Sequence, residues 1–196
     1  MDQQPQEPTF MQRLANFGNV LTFFAQSVAL TGEVFLHDRF GDRYFRFQAI
    51  GALIFMLFYA ACWQGHDLTP LAGFFIAFMA MMILARIGVL YRRVRGTGDA
   101  IHSRYTGRPH LIRIFPRLDE LKTKQGIEPF LMIFIGILTC GYNEPLAVYL
   151  FITGIAMRAS VDLNESYQRE KALNLTDAWI EQQQIAKRFR DLRGPF

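Results

Sequence analysis

The chain has 196 residues, a formal net charge of +4 and 51% hydrophobic residues, among them 19 Phe. This composition excludes an intrinsically disordered chain, which has too little apolar surface to form a core. The apolar residues are concentrated in long runs that alternate with Arg-rich segments, whereas a soluble protein mixes the two along each amphipathic helix. We therefore expect an all-α, polytopic membrane protein with four membrane helices in two hairpins.

The first segment, residues 1–46, contains an apolar helix with a polar stripe. Its polar residues recur every seven positions, at Gln12, Asn19, Gln26 and Glu33. This spacing favours an interfacial amphipathic helix in the headgroup region with its stripe toward water. Two alternatives are a helix buried by other helices, whose stripe contacts a partner or another copy, and a fifth span over residues 17–36. The four stripe residues are our candidate partner contacts.

The second segment, residues 47–90, is predicted to be a transmembrane hairpin. Phe47–Trp63 is a run of 17 residues without charge, and Leu71–Leu90 is a run of 20 residues with Arg86 as its one charge. The second run reaches about 30 Å as a helix, the thickness of a hydrocarbon core. Arg86 lies near the end of that run, where its long stem can extend to the interface.

The third segment, residues 91–127, is strongly basic. It has three acidic residues and nine basic ones, namely Arg92, Arg93, Arg95, Arg104, Arg108, Arg113, Arg117, Lys122 and Lys124. The short turns expected between paired spans, residues 64–70 and 143–144, carry no Lys or Arg. By the positive-inside rule, this segment and both termini are expected in the cytoplasm, with the protein in the cytoplasmic (inner) membrane.

Basic side chains beside a membrane predict contact with anionic lipid headgroups, each worth about 1 kcal/mol. Our candidates for binding headgroups or a partner protein are Arg92, Arg93, Arg95, Arg104, Arg108, His110 and Arg113. Nucleic acid is not expected as a partner, because the segment shows no nucleic-acid-binding fold pattern.

The same segment holds the only candidates for catalysis. Asp99 and His102 are of the types that serve as general acids, general bases or metal ligands. However, His102 and His110 are eight residues apart, and neither a His-x-x-x-His pair nor a Cys pair accompanies them. This spacing matches no metal-ligand signature. We expect no metal and no cofactor.

The fourth segment, residues 128–157, is predicted to be a second, shorter hairpin. Its apolar runs, Pro129–Tyr142 and Pro145–Met157, give only about 20 Å of helix each. They fit short spans in a thinned bilayer, spans extended by their flanks, or a re-entrant hairpin. Gly136 and Gly154 fit either close helix packing or broken helices.

The fifth segment, residues 158–196, is predicted to be a cytoplasmic amphipathic helix. Asn174 is a candidate N-cap, and basic residues gather late in the segment. Trp179, Ile185 and Phe189 recur at helical spacing and are candidate contacts with a partner.

Three functional hypotheses follow. The first is a structural or scaffolding subunit of a larger membrane assembly, with a protein partner or as a homo-oligomer. The alternative is a membrane enzyme that uses residues 99–110 on a lipid or an anionic substrate. The third is a small channel or transporter, which is disfavoured because the four apolar runs hold no ionisable residue near the bilayer midplane.

Overall fold

A computed structural model of the protein describes residues 10–41, 47–95, 106–115 and 117–192, of which residues 10–16, 93, 191 and 192 are described by their backbone only. The described residues are mostly helical. In chain order the elements are α1 (Phe10–Leu36), β1 (His37–Asp38), α2 (Phe47–Cys62), α3 (Thr69–Arg95), β2 (Arg108–Pro109), α4 (His110–Ile114), α5 (Glu120–Lys122), a π-helical turn (Thr123–Ile127), α6 (Glu128–Thr139) and α7 (Glu144–Leu192).

The chain divides into two compact units, Met1–Ser160 and Val161–Phe196. We call the first the bundle unit and the second the C-terminal unit. The bundle unit contains the packed core of the protein. The C-terminal unit consists, where it is described, of the last part of α7.

Three helices are long and apolar enough to cross a membrane, over Phe17–Leu36, Thr69–Arg92 and Glu144–Arg190. Helix α2 is equally apolar but has only 16 residues. Large apolar side chains on α2 and α3 are exposed, among them Phe58 and Leu84. Such a surface costs free energy in water and none against lipid tails. The helices therefore indicate a membrane-embedded protein.

Helix α1 packs against α2 and α3. Leu30 and Val34 belong to the main core, and a side chain at Gly51 of α2 would clash with Ser27 of α1. Along the polar stripe, Asn19 is exposed, Gln26 is partly buried and Glu33 is 2% exposed. The expectation that this stripe faces water along its whole length is therefore wrong at Glu33. Small residues such as Gly51 and Ser27 allow α1 and α2 to approach closely.

An aromatic cluster joins α2, α3 and α7. The fully buried ring of Tyr149 has the ring of Tyr59 at 5.1 Å, that of Phe75 at 5.3 Å and that of Phe74 at 5.6 Å, between centroids. All three contacts are edge-on, the geometry that aromatic pairs prefer. The Tyr59 hydroxyl donates to the carbonyl oxygen of Pro145 at 2.8 Å. The cluster thereby fixes α7 against the other two helices.

The two short turns of the bundle unit are hydrogen-bonded to each other. The Asn143 side chain caps α7 by accepting from the Leu146 amide at 3.0 Å, and it donates to the Asp67 carbonyl oxygen at 2.7 Å. The Asp67 carboxylate accepts from the Thr69 amide at 2.9 Å at the start of α3. Bonding to Thr69 lowers the pKa of this exposed carboxyl group below its usual value.

Helices α6 and α7 approach closely at two glycines. A Cβ at Gly136 would lie 3.0 Å from the carbonyl oxygen of Ala147, and one at Gly154 would lie 2.8 Å from that of Pro129. Both residues lie within their helices. Of the two interpretations that their sequence left open, the structure shows close packing.

The structure changes two expected boundaries. Helix α7 runs without interruption from Glu144 to Leu192, so the expected N-cap at Asn174 is wrong. Residues 158–174 contain neither Gly nor Pro, and nothing in them stops a helix. Within residues 91–127, α3 continues to Arg95, and the helical run that leads into α6 already begins at Glu120.

Candidate functional site

Ionisable side chains are buried together in the bundle unit, where β1, the segment before β2, the π-helical turn and the start of α6 meet. The side chains of His37 and Glu128 are 2% and 0% exposed, and Lys124 is also buried. We call His37, Lys124 and Glu128, with Thr106 and Gly107, the buried polar centre. Burying charged groups is costly unless they are paired and hydrogen-bonded. Each of the three ionisable side chains therefore needs hydrogen-bond partners inside the protein.

Both ring nitrogens of His37 are used. Nε2 lies 2.7 Å from Glu128 Oε2, and Nδ1 lies 2.9 Å from the carbonyl oxygen of Thr106. A carbonyl oxygen can only accept, so Nδ1 carries a hydrogen and donates it. The distance of 2.7 Å is that of a charge-assisted hydrogen bond, which needs one proton between Nε2 and Oε2. The pair is then neutral overall, either as imidazolium and carboxylate or as imidazole and carboxylic acid.

Glu128 has a second carboxyl oxygen, Oε1, which is buried and has no hydrogen-bond partner among the described residues. Buried polar atoms without partners are rare, and each one requires an explanation. Here the atom belongs to the same group that bonds His37. The Glu128 carboxyl therefore has capacity for a further hydrogen bond inside the protein.

Lys124 holds the chain segment that carries Thr106. Its ammonium group donates to the Gly107 carbonyl oxygen at 2.6 Å, to Thr106 Oγ1 at 3.1 Å and to Glu120 Oε1 at 2.7 Å. All three ammonium hydrogens thus have an acceptor. His37 and Lys124 together bind consecutive residues of the segment that leads into β2.

The backbone that builds this centre has two unusual features. Gly107 has φ +91°, and a Cβ there would lie 2.8 Å from the Asp38 carbonyl oxygen. Only glycine fits both conditions. The antiparallel pairing of β1 with β2 sets His37 opposite Pro109. The π-helical turn buries Thr123 and Lys124, and such turns occur frequently at functional sites.

Further charged residues border the buried polar centre. Glu33, in the last turn of α1, lies four residues before His37 and is itself buried. Arg92 of α3 donates to the Phe40 carbonyl oxygen at 3.3 Å, and Arg158 of α7 donates to that of Gln125 at 2.6 Å. The C-terminal ends of α1 and α3 and an inner turn of α7 therefore all carry charged side chains toward this region.

The sequence-predicted catalytic candidates, Asp99 and His102, lie outside the described residues, as does Arg104. The side chains of Gln12 and Arg93 are also outside the description. For these residues the predictions of catalysis and of contact stay predictions.

The remaining basic candidates do not come together with the buried polar centre. The guanidinium of Arg95 stacks on the ring of Tyr91, 4.7 Å from its centroid. Arg108, His110 and Arg113 are exposed. Their position suits contact with a lipid headgroup or a partner, which no structural observation tests.

Sequence reasoning missed His37, Lys124 and Glu128 as a group. Lys124 is one of the nine basic residues of the third segment, and Glu128 directly precedes the apolar run that begins at Pro129. One available signal was the four-residue spacing of Glu120, Lys124 and Glu128, which places charges on one face of a helix. His37 is 91 residues from Glu128, and no local pattern connects them.

The chemistry that this arrangement supports is proton binding and anchoring of a chain segment. Among the described residues, no group of three or more His, Cys, Asp or Glu side chains is arranged to hold a metal ion. Cys62 and Cys140 are exposed free thiols. No protein-family model matches the chain, and neither a curated protein nor a solved structure shows significant similarity to it.

Proposed function

We propose that the protein is a structural or scaffolding subunit of a larger assembly in the cytoplasmic membrane. The observation that supports this proposal is the surface of the C-terminal unit. Its described side chains are almost all exposed, and they include large apolar ones: Tyr167, Leu173, Leu175, Trp179, Ile180, Ile185 and Phe189. An exposed apolar surface of this kind is typical of a protein or membrane interaction site.

Most of these residues share one face of α7. Leu175, Ala178, Gln182, Ile185 and Phe189 follow one another at spacings of three and four residues, the spacing of a helix that packs into a groove or against another helix. Trp179 is 59% exposed and Phe189 is 67% exposed. Large aromatic side chains of this type contribute most of the binding free energy in protein interfaces. We call the stripe from Leu175 to Phe189, together with Trp179 beside it, the C-terminal face. We propose a helix of a partner protein as its ligand.

The experiment is a mild-detergent pull-down of the tagged, full-length protein from its native membranes, followed by a titration with the partner recovered. Trp179→Ala and Phe189→Ala should each weaken binding by about 30-fold, equivalent to about 2 kcal/mol, because each removes a large apolar contact. Gln184→Ala lies on the opposite face of the same helix and is the matched control, with no change expected. Equal binding by all three variants, or recovery of no partner, would contradict the proposal.

The membrane topology of this subunit follows from helix packing and charge together. We propose five crossings, by α1, α2, α3, α6 and the first part of α7. Helix α1 packs along α2, and its span ends at Leu36, shortly before Arg39, Arg43 and Arg46. These arginines would lie on the cytoplasmic side with the basic segment 92–124. The N-terminus would then lie outside, in place of the cytoplasmic position expected from the sequence.

Anionic headgroups are the lipid partners that the charge distribution supports. Exposed Arg95, Arg108, His110 and Arg113 would lie on the cytoplasmic side in this topology. Such side chains attract the anionic inner leaflet and orient the protein in it. The enzyme hypothesis for residues 99–110 gains no support from the described residues.

A further inference from the structure

We propose that the His37–Glu128 pair is a binding site for one exchangeable proton, and that this proton holds residues 106–109 against the end of α1. The inference is independent of the scaffolding function, which concerns the C-terminal face. It rests on the hydrogen-bond geometry of the buried polar centre and on its burial.

The geometry fixes where the proton binds. The Thr106 carbonyl oxygen requires a hydrogen on His37 Nδ1, 2.9 Å away. The tautomer is thereby set, and Nε2 faces Glu128 Oε2 at 2.7 Å with a single proton between them. Both forms of the neutral pair keep this proton in the same short contact. The bound state is the state that the structure shows.

Gain and loss of a proton have different consequences for this contact. A second proton gives imidazolium and carboxylic acid, in which Nε2–H still donates to Oε2. This second proton would sit on Glu128 Oε1, where it would need an acceptor, and Oε1 has no hydrogen-bond partner among the described residues. Loss of the shared proton to water leaves two lone pairs facing each other at 2.7 Å, with a buried negative charge. The contact therefore breaks on the alkaline side.

Burial makes the contact dependent on this proton. No water layer surrounds the two side chains, which are 2% and 0% exposed, so a broken bond has no immediate replacement. Ionisable groups inside a membrane protein are costly and commonly functional. Charged residues on the neighbouring elements include Glu33, Asp38, Arg92, Arg108, Glu120, Lys124 and Arg158. Of these, Lys124 bonds the same segment, at Thr106 and Gly107.

Residues 106–109 respond to loss of the shared proton because His37 bonds Thr106 directly. When the imidazole turns away from Glu128, the Thr106 carbonyl oxygen loses its donor, and the β1–β2 pairing that follows His37 loses support. Lys124 alone then holds the segment. Deprotonation should therefore loosen residues 106–109 while the helices, whose core lies elsewhere, stay packed.

The test is hydrogen–deuterium exchange of the full-length protein in lipid nanodiscs, from about pH 5 to about pH 9, where imidazole groups in proteins ordinarily titrate. Exchange in peptides that cover residues 106–115 is normalised to the intrinsic rate at each pH. In the wild type, the protection of these amides should fall by at least about tenfold toward high pH, because the His37–Thr106 contact is lost. In Glu128→Gln it should stay constant, because the amide donates to Nε2 without titrating.

Constant protection in the wild type, or the same pH dependence in Glu128→Gln, would overturn the proposal. A second measurement follows the wild type directly and does not use Glu128→Gln. Imidazole ¹⁵N shifts of the labelled wild type, assigned by the signal lost in His37→Gln, should show Nδ1 protonated while the contact with Thr106 persists, and Nε2 changing with pH. An Nε2 shift that is constant over the whole range would show that no proton exchanges there.

Discussion

At the scale of single residues, the positions that determine the bundle unit are those where only one side chain fits. Gly107 combines a positive φ with close approach of the Asp38 backbone. Both ring nitrogens of His37 and all three ammonium hydrogens of Lys124 are used in hydrogen bonds, and the partners of His37 are 69 and 91 residues away in sequence. Such residues are replaceable only at a cost, because a substitute leaves a buried partner unpaired or strains the backbone.

Gly107→Ala should destabilise the segment at β2. The new methyl group meets the Asp38 carbonyl oxygen and the His37 Cβ, both at 2.8 Å, and alanine disfavours φ +91°. We expect a loss of about 1–3 kcal/mol, seen as faster amide exchange in residues 106–115. Gly126→Ala is the control, since a Cβ there has open space and an ordinary φ. Equal exchange in the two variants would show that the segment is not held as the structure indicates.

At the scale of elements, the helices pack through small residues. Gly51, Gly136 and Gly154 each lie where a side chain would meet a neighbouring helix, whereas Gly73 and Gly88 of α3 have open space. Close approach of backbones is the usual way in which membrane helices associate, because lipid tails remove the hydrophobic driving force between them. The exposed surfaces of α2 and α3 carry large apolar side chains.

Gly154→Leu should separate α6 from α7. A Cβ at this position already lies 2.7 Å from Ile133 Cγ1 and 2.8 Å from the Pro129 carbonyl oxygen, so the rest of the leucine has no room. We expect a loss of about 1–3 kcal/mol in unfolding free energy, measured by thermal unfolding in detergent. Gly88→Leu makes the same chemical change at an open position and should leave stability nearly unchanged. A similar loss in both variants would contradict close packing at Gly154.

At the scale of the whole molecule, the buried polar centre connects the end of α1 to the rest of the bundle unit. The sequence places Glu33 on a polar stripe, and the tertiary structure places it inside the bundle unit together with the end of α1. A helix held in this way packs inside the bundle and does not lie on its surface. This placement is the reason for proposing a fifth crossing.

The topology can be measured with an impermeant maleimide on sealed, right-side-out membrane vesicles. In a background without Cys62 and Cys140, a cysteine at Asp2 should be labelled, like one in the outer turn at Gln64. A cysteine at Gln184 should be protected until the vesicles are opened. Protection of Asp2→Cys would place the N-terminus in the cytoplasm and remove the fifth crossing.

The sequence by itself determined the helical, membrane-embedded character of this protein. Apolar runs of 17 and 20 residues beside Arg-rich segments are a local property, and the hydrophobic effect acts on them wherever they are placed. The apolar positions on the last part of α7 were likewise readable, because the spacing of a helix is local. The sequence did not show that α7 continues through residue 174, since an N-cap residue is also tolerated within a helix.

Only the tertiary structure decided which polar residues are buried. His37 and Glu128 are 91 residues apart, and their hydrogen bond exists because the fold brings β1, which follows α1, beside the start of α6. Glu33 has the same sequence context as the exposed Asn19 of its stripe, yet neighbouring helices cover one and not the other. Burial is a property of packed elements and not of a sequence period. For that reason, the pattern that predicted α1 as a helix could not predict the buried polar centre at its end.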